Sequence, residues 1–299
     1  MKVLCIGNAA FDITIPTNNY PVENTKYRID KKIECGGGPA SNAAYLMAKW
    51  GLDVYIAAVV GNDYYGNQIK KEFEEVKVNT KYLQVSNNYK TTSSYIIANS
   101  ETGTRTILSV RDRDIHMSYV DIDIKPDVIL MDGNEYQLSK KVMEKFPTAI
   151  TIMDAGRYSE EFFELSKMVN HVVCSRDFAE AVSGITVDYS KPETLLEMYA
   201  ELENIYSGNV VVTLEDKGCL YKIGEIVKIM PGINVKAVDS TGAGDIFHGA
   251  YTYGIATRLP LEEVLKLANI AGGLSVTKIG GKNSIPSLDE IEQVYNEIG

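Results

Sequence analysis

Short apolar runs alternate with helical patterns along most of this chain, and the alternation limits the possible folds more than any other feature. Each run is short enough to be one buried strand; the runs are residues 3–6, 54–60, 128–131, 150–153, 172–174 and 210–214. The helical patterns lie between them, for instance at residues 42–49, 68–76, 193–205, 243–257, 261–277 and 288–298. Repeated strand–helix units predict an α/β fold with a mostly parallel sheet covered on both faces.

Two regions, residues about 12–35 and 90–112, do not follow this alternation, because apolar and polar residues alternate there one by one. Within the second region, the segment from Glu101 to Thr104 supplies a hairpin turn. The pattern predicts a small β-sheet that projects from the α/β body as a lid over a site. An antiparallel extension of the main sheet is the alternative.

Length and composition narrow the classes of protein further. The chain has 299 residues, and we predict one α/β domain over residues 1–299. A net charge of −10 without any basic run argues against a nucleic-acid partner. The first apolar run is too short for a signal peptide, and no segment has the about 20 apolar residues that a membrane span needs. Four cysteines without paired spacing predict reduced thiols and a cytoplasmic location.

Residues 239–245 read Asp-Ser-Thr-Gly-Ala-Gly-Asp and lead directly into a helical pattern. The backbone N–H groups of Gly242, Ala243 and Gly244 would point out of the start of that helix, where the helix dipole favours an anion. Asp245 stands beside this anion site as a candidate general base. An anion site and a base together indicate phosphoryl transfer to a hydroxyl group. The alternative is an ordinary glycine-rich turn before a helix.

A second glycine-rich stretch, residues 35–42, reads Cys-Gly-Gly-Gly-Pro-Ala-Ser-Asn and also precedes a helical pattern. Glycines let the backbone approach a ligand closely, and the amide of Asn42 can both donate and accept hydrogen bonds. Such a loop suits a polyhydroxylated molecule. A plain glycine-rich connection is the alternative.

Other common chemistries lack their motifs. The sequence has no G-x-x-x-x-G-K-[ST], no G-x-G-x-x-G after the first strand and no G-x-S-x-G. Its three histidines, His116, His171 and His248, lack the spacing of metal ligands. His248 lies one helical turn beyond Asp245, and we expect it to pack in the interior rather than to contact a nucleotide.

Together the two glycine-rich stretches resemble the ribokinase-like, or PfkB, family of carbohydrate kinases. Residues 239–252 match the carboxyl-terminal signature of that family at every defined position, and residues 37–42 match its amino-terminal signature. The resemblance also covers residues 7–12, 213–218 and 280–286, and so runs the full length of the chain. It implies a ribokinase-like three-layer α/β/α sandwich with a small β-sheet lid.

The resemblance also implies roles for individual residues. The aspartate that matches Asp245 deprotonates the sugar hydroxyl that attacks the γ-phosphate of ATP, and the amides of residues 242–244 form the anion hole. The residues implied to hold the sugar are Asp12, Gly37, Gly38 and Asn42. Those implied to lie along the nucleotide are Thr213, Glu215, Gly218 and Asn269. A monovalent cation such as K⁺ is implied beside the anion hole at Asp239, Thr241, Ser275, Gly280 and Ser284.

One segment departs from the family pattern. Many relatives organise Mg²⁺ with an Asn-x-x-Glu motif, but here Ser175 and Phe178 occupy those two positions. Mg²⁺ would then be held mainly by phosphates and water, helped by Asp177 or Glu180. The departure is similar to ketohexokinases, and the glycine motifs look like those of bacterial sulfofructose kinases. Both groups phosphorylate the C1 hydroxyl of a ketose.

Charged residues near the predicted hairpin are further candidates for substrate binding. Arg105, Arg111 and Arg113 would contact an anionic substituent or a phosphate, although solvated lid arginines are the alternative. Glu135 follows a buried strand and would close the sugar site, although a surface carboxylate is the alternative.

These observations predict an ATP-dependent sugar kinase, with a ketose as the favoured acceptor. A ribokinase or nucleoside kinase of the same fold is one alternative, and a non-catalytic sugar-binding sensor is another. We also expect a homodimer formed through the projecting sheets, because a small lid would otherwise expose strand edges. Sugar binding is expected to close the lid and exclude water.

Overall fold

The computed structural model describes residues 1–112 and 114–298. The strands are β1 (Lys2–Ile6), β2 (Ala10–Thr17), β3 (Ile33–Gly37), β4 (Asp53–Gly61), β5 (Asn79–Ser86), β6 (Thr92–Asn99), β7 (Arg105–Val110), β8 (Val128–Met131), β9 (Ile150–Ala155), β10 (His171–Ser175), β11 (Asn209–Thr213), β12 (Cys219–Ile223) and β13 (Ile226–Met230). The helices are α1 (Pro39–Lys49), α2 (Tyr64–Glu75), α3 (Tyr136–Lys145), α4 (Glu160–Ser166), α5 (Arg176–Ser183), α6 (Glu193–Ile205), α7 (Ala243–Ala256), α8 (Leu261–Ser275) and α9 (Leu288–Ile298).

The large sheet has nine strands in the order β13-β12-β11-β10-β9-β8-β1-β4-β5. The strands from β11 to β5 run parallel, whereas β12 and β13 form an antiparallel hairpin at one edge. Parallel strands bring their carboxyl ends to one edge of the sheet, where α/β proteins bind ligands. The fold therefore collects the loops after β1, β8, β9, β10 and β11 along a single edge of the sheet.

Two hydrophobic cores cover the faces of this sheet. One core contains buried residues of α1, α7 and α8, and the other contains buried residues of α3 to α6. The predicted three-layer α/β/α sandwich is confirmed. In the first layer Gly249 of α7 lies so close to α1 that an added Cβ would be 3.0 Å from the Cα of Ala43. This close approach places the start of α7 beside Asn42 of α1.

A separate sheet of four strands has the order β3-β2-β6-β7. The predicted small sheet is therefore confirmed, and the alternative, an extension of the main sheet, is wrong. The expected hairpin is present, with Gly103 in the left-handed region at φ 70° and its N–H donating to Asn99 O. In the other predicted lid region, residues about 12–35, only β2 and β3 are strands. Residues 18–32 between them pair with neither strand and are mostly exposed.

All six predicted strands are present in the structure, and so are the six predicted helices, with small shifts at their ends. Helix α1 begins at Pro39 rather than Asn42, because proline suits the first turn of a helix, where its missing N–H costs nothing. Helix α2 begins at Tyr64, where Asp63 caps the first turn by accepting from Gly66 N. No described helix is long and apolar enough to cross a membrane.

Candidate active site

The start of α7 forms the centre of the candidate site. Gly242 is the N-cap residue and lies in the left-handed region at φ 75°, which a residue with a side chain rarely adopts. The first N–H groups of a helix have no partner within the helix. Of the three N–H groups assigned to the anion hole, those of Gly242, Ala243 and Gly244, the one of Ala243 donates to Ser240 O at 3.3 Å. Binding of an anion by this segment stays a prediction, and so does its role in catalysis.

Asp245 lies in the first turn of α7, and its carboxylate faces the second glycine-rich loop. Its Oδ2 accepts a hydrogen bond from Asn42 Nδ2 at 2.7 Å. Burial raises the pKa of Asp245, and the nearby carboxyl of Asp154 raises it further, while the hydrogen bond from Asn42 acts in the opposite direction. A carboxylate with a raised pKa is a stronger base than an exposed one, as proton abstraction requires.

The residues implied to hold the sugar lie together next to Asp245. An added Cβ at Gly281 would lie 3.6 Å from Asn42 Nδ2 and 3.9 Å from Asp12 Oδ2, so these two side chains face the same small space. Asp12 is buried, and burial raises its pKa to about 6. Asn42 is also buried, and its Oδ1 has no hydrogen-bond partner among the described residues. A buried carbonyl oxygen without a donor suits a ligand hydroxyl.

Glycine is required at two neighbouring positions of the stretch 35–42, which is implied to hold the sugar and is called the sugar loop from here on. A Cβ at Gly37 would lie 2.0 Å from Asp12 Oδ2, and a Cβ at Gly38 would lie 2.6 Å from Asn8 O. Gly38 also has φ 92° as the N-cap of α1. The backbone therefore lies close to Asp12 and to Asn8, which follows β1. The predicted close approach to a ligand stays a prediction.

Of the residues implied to contact the nucleotide, three lie at or just after the end of β11, and Asn269 lies in α8. Thr213 ends β11 and donates to Cys174 O at 3.3 Å, while Glu215 pairs with Arg176 at 3.3 Å. Gly218 has φ 97°, and a Cβ there would lie 2.0 Å from Met230 O. Asn269 is buried and donates to Met230 O and Pro231 O, so its amide supports the backbone after β13. Nucleotide contact by these four residues stays a prediction.

The residues implied to hold a monovalent cation form one cluster of loops. Asp239 is buried, and its two carboxylate oxygens accept from Thr241 N, Thr241 Oγ1 and Gly280 N. The N–H of Asp239 donates to Val276 O, next to Ser275. Ser284 donates from Oγ to Gly281 O. The structure therefore brings all five residues together beside the start of α7.

Arg105 and Glu135 are the two less specific predictions, and their hydrogen bonds are to residues other than Asp12. Arg105 donates to Ser240 Oγ at 2.6 Å, so it links the hairpin to the loop before α7. Glu135 is buried and accepts from Met117 N, and burial raises its pKa to about 7. Arg113 lies outside the described residues. Sugar contacts by Arg105 and Glu135 stay predictions.

The segment that departs from the family pattern, residues 175–178, forms the start of α5. Ser175 caps α5 by accepting from Phe178 N, and the Phe178 side chain is fully buried. Asp177 is exposed beside Arg176, and Glu180 accepts from Val187 N. Among the described residues, no group of three or more His, Cys, Asp or Glu side chains is placed to hold a metal ion.

Several site residues were not identified from the sequence. Asp132 follows β8 and accepts from Asn8 N at 2.7 Å and Ala40 N at 3.2 Å, which ties the end of β1 to the sugar loop. Asp154, in β9, lies 3.3 Å from His248 Nδ1. The signal for both was present, since each carboxylate stands at the carboxyl end of an apolar run.

Two interior residues behave as cross-links. His248 is buried as expected, with Nδ1 2.6 Å from Gly244 O and Nε2 2.9 Å from Val173 O. Lys282 is also buried; its Nζ lies 3.2 Å from Glu72, whose carboxylate accepts from Gly36 N. Lys282 therefore connects the loop after Gly280 to the sugar loop.

Known proteins that are similar to this chain are carbohydrate kinases. The family model described as pfkB family carbohydrate kinase matches residues 1–288. The chain is 26% identical to the ribokinase of Lactococcus lactis over 307 residues, covering 99% of this chain and 98% of that one. It is 25% identical to the deoxyribokinase of Salmonella typhi over 312 residues, covering 98% of each. The structure of the Arabidopsis thaliana ribokinase complexed with ribose and ATP has a TM-score of 0.81 at 21% identity, covering 98% of this chain and 97% of that one.

This chain belongs to the pfkB family of carbohydrate kinases. It is therefore a phosphotransferase that acts on a sugar hydroxyl.

Proposed function

We propose that this enzyme transfers the γ-phosphate of ATP to a hydroxyl of a monosaccharide, with Asp245 as the general base. The observation that carries the proposal is the hydrogen bond between Asp245 and Asn42, because it joins the candidate base to the sugar loop at the mouth of the anion hole. Asp245 would accept the proton of the attacking hydroxyl. The backbone N–H groups at the start of α7 would stabilise the charge on the transferring phosphoryl group.

The donor atoms of the cluster around Asp239 fit a monovalent cation such as K⁺. They are carboxylate, hydroxyl and backbone carbonyl oxygens, which hard cations prefer. A cation there would strengthen the positive field at the anion hole. Mg²⁺ would neutralise charge on the phosphates of ATP and would be held mainly by those phosphates and water, because the described residues near Ser175 offer few ligands.

Two neutral acceptors are supported by different observations. The ribokinase and deoxyribokinase relatives favour a pentose. The Ser175 and Phe178 segment favours a ketose phosphorylated at C1. ADP release measured with ketoses, pentoses, nucleosides and anionic sugars, with and without K⁺, tests the proposal. The proposal would be contradicted if none of these sugars or nucleosides supported ADP release at any K⁺ concentration.

We also propose that the small sheet acts as a lid. The turn of its hairpin contacts the loop before α7, since Ser240 donates to Gly103 O from both N and Oγ. A lid that rests on this loop can exclude water, which otherwise competes with the sugar for the phosphate.

Replacing Asp154 with asparagine is expected to move the acid limb of the kcat/KM profile to lower pH. Asp245 must be ionised to accept a proton, so kcat/KM falls as the pH drops through its pKa. The charged or polar groups that act on Asp245 are Asp154, Asn42, His248 and Asp12, and of these Asp154 is the larger of the two that raise its pKa through charge. The pH dependence of kcat/KM for wild type and Asp154→Asn checks this. An unchanged or higher apparent pKa would contradict it.

The outer face of the small sheet is the proposed dimer interface. Tyr95 pairs with Leu108 across β6 and β7, and Val110 lies on the same face. The exposed fractions of these three residues are 40%, 58% and 60%, which is unusual for apolar side chains on neighbouring strands. Covering this face with a second copy would also protect the free edge of β7.

A charge on this face is therefore expected to separate the dimer. Leu108→Glu should give a monomer in sedimentation at micromolar concentration, while wild type gives a dimer. Leu196→Glu is the matched control, because Leu196 is similarly exposed at 54% but lies on α6. A monomeric wild type, or a dimeric Leu108→Glu variant, would refute the interface.

A further inference from the structure

Two arginines from different sheets converge on one amide oxygen at the carboxyl edge of the large sheet. Arg111 follows β7 of the small sheet, and Arg157 follows β9 of the large sheet. Arg111 Nη1 lies 2.7 Å from Asn134 Oδ1, and Arg157 Nη2 lies 3.2 Å from the same atom. A single neutral oxygen thus receives hydrogen bonds from two cations.

The Asn134 amide is held in this orientation by Asp132. Asp132 Oδ1 accepts from both Asn134 N and Asn134 Nδ2 at 3.0 Å. The amide oxygen therefore points away from Asp132 and toward the arginines. Asp132 Oδ2 is also engaged, because it accepts from the backbone of the sugar loop at Ala40 and from Asn8.

Neither guanidinium has a carboxylate partner in the described part of the chain. The ion pairs of arginine found there all involve Arg176. Glu135, the other nearby acid, accepts from Met117 N instead. Burial lowers the pKa of Arg111, and the charge of Arg157 adds to that effect while Asp132 opposes it. Asp132 and Glu135 act on Arg111 through charge but form no ion pair with either guanidinium in the described part of the chain. An anion placed between the two guanidinium groups would be stabilised by both of them.

The position of the pair indicates which molecule carries this anion. Asp132 links Asn134 directly to the sugar loop, and both arginines donate to Asn134, which follows β8. Three of the residues implied to contact the nucleotide, Thr213, Glu215 and Gly218, lie at or just after the end of β11 instead, beyond β10 in the sheet order. The acceptor sugar is therefore the nearer ligand.

We propose that Arg111, Arg157 and Asn134 form a subsite for an oxyanion group on the acceptor, so that the preferred substrates are acidic monosaccharides. The group is a phosphate, sulfonate or carboxylate on a carbon away from the reacting hydroxyl. Two guanidinium groups can bind such an oxyanion with several parallel N–H···O bonds. The inference rests on the proposed sugar kinase activity, because it assigns the substrate class of that same site.

Matched pairs of sugars test the subsite. The probes are D-fructose against D-fructose 6-phosphate, D-ribose against D-ribose 5-phosphate, and D-glucose against D-glucuronate. At least one acidic sugar is expected to exceed its neutral partner in kcat/KM by tenfold or more, and the advantage should shrink as salt is added. The preferred pair also distinguishes a phosphate from a carboxylate. Neutral sugars that are used as well as every acidic partner would overturn the proposal.

Arginine variants distinguish the acceptor from the transferring phosphate. In Arg111→Gln and Arg157→Gln, the ratio of kcat/KM for the acidic sugar to that for the neutral sugar should fall at least tenfold, mainly through KM. Arg258→Gln is the control, because Arg258 is exposed between α7 and α8. An equal loss on both sugars would show that the arginines serve the transferring phosphate, and would overturn the proposal.

Calorimetry separates this inference from the proposed function. Titration of D-fructose 6-phosphate and D-fructose into wild type and Arg157→Gln, without nucleotide, measures the subsite alone. Tighter binding of the phosphate ester that is lost in the variant supports the subsite even if no sugar releases ADP. Equal binding of both sugars overturns the subsite even if a kinase activity is found.

Discussion

Replacing Asp245 with asparagine is expected to lower kcat by roughly a hundredfold to ten-thousandfold, the usual contribution of a general base. Asparagine has nearly the same size, and its amide oxygen can still accept the hydrogen bond that Asp245 receives from Asn42. It cannot accept a proton from the sugar hydroxyl. The KM values for sugar and ATP should therefore change by only a few-fold, because the loss is confined to the chemical step. Steady-state ADP release with the best acceptor measures both quantities.

An exposed aspartate far along the sequence from Asp245 provides the control for this experiment. Asp289 is exposed in α9, and Asp289→Asn should retain wild-type kcat. Thermal unfolding of both variants separates loss of activity from loss of structure. A kcat for Asp245→Asn within tenfold of wild type would show that Asp245 is not the general base. It would also contradict the mechanism proposed for the start of α7.

The sheet was predictable where strands are buried on both faces. The predicted runs at β1, β4 and β8 to β11 are nearly continuous apolar segments, and parallel strands inside a sandwich need that composition. Strand β13 was missed because it is partly exposed at the sheet edge, where its side chains alternate less clearly. Helices α4 and α5 were missed because seven or eight residues give too few turns for a helical period.

The candidate site was predictable where chemistry needs consecutive residues. Backbone N–H groups that bind an anion must be neighbours in sequence, so the glycines before Asp245 and before Asn42 form readable motifs. Asp132, Asp154 and Arg157 belong to no such motif of consecutive residues, although the two aspartates each follow an apolar run. They meet only because β8 and β9 are adjacent and follow β1 in the sheet order, which single-sequence patterns do not specify. Lys282 was missed because a buried lysine depends on its partner Glu72, which is 210 residues away.

Replacing Gly37 with alanine is expected to weaken sugar binding by displacing Asp12. Gly37 ends β3, opposite Ala10 in the antiparallel register, and its φ lies outside the left-handed region, so the backbone itself tolerates alanine. The added Cβ would lie 2.0 Å from Asp12 Oδ2 and 2.4 Å from Asp12 Cγ. Real atoms do not approach so closely, so the carboxylate must rotate away from the sugar site. A lost hydrogen bond from a charged group costs about 1.5–3 kcal/mol, so the KM for sugar should rise by roughly tenfold or more while the KM for ATP stays unchanged.

A double variant tests whether Asp12 alone transmits this effect. If alanine at residue 37 acts only by moving the carboxylate, then Gly37→Ala should add nothing to Asp12→Ala, and the two effects will be strongly non-additive. Gly272→Ala is the matched control, because its Cβ would meet only an ordinary contact of 3.4 Å with Ala243 O. Calorimetric titration with the best acceptor measures each variant. Additive losses would mean that Gly37 contacts the sugar through its own backbone, whereas an unchanged affinity in Gly37→Ala would show that Asp12 is not a sugar ligand.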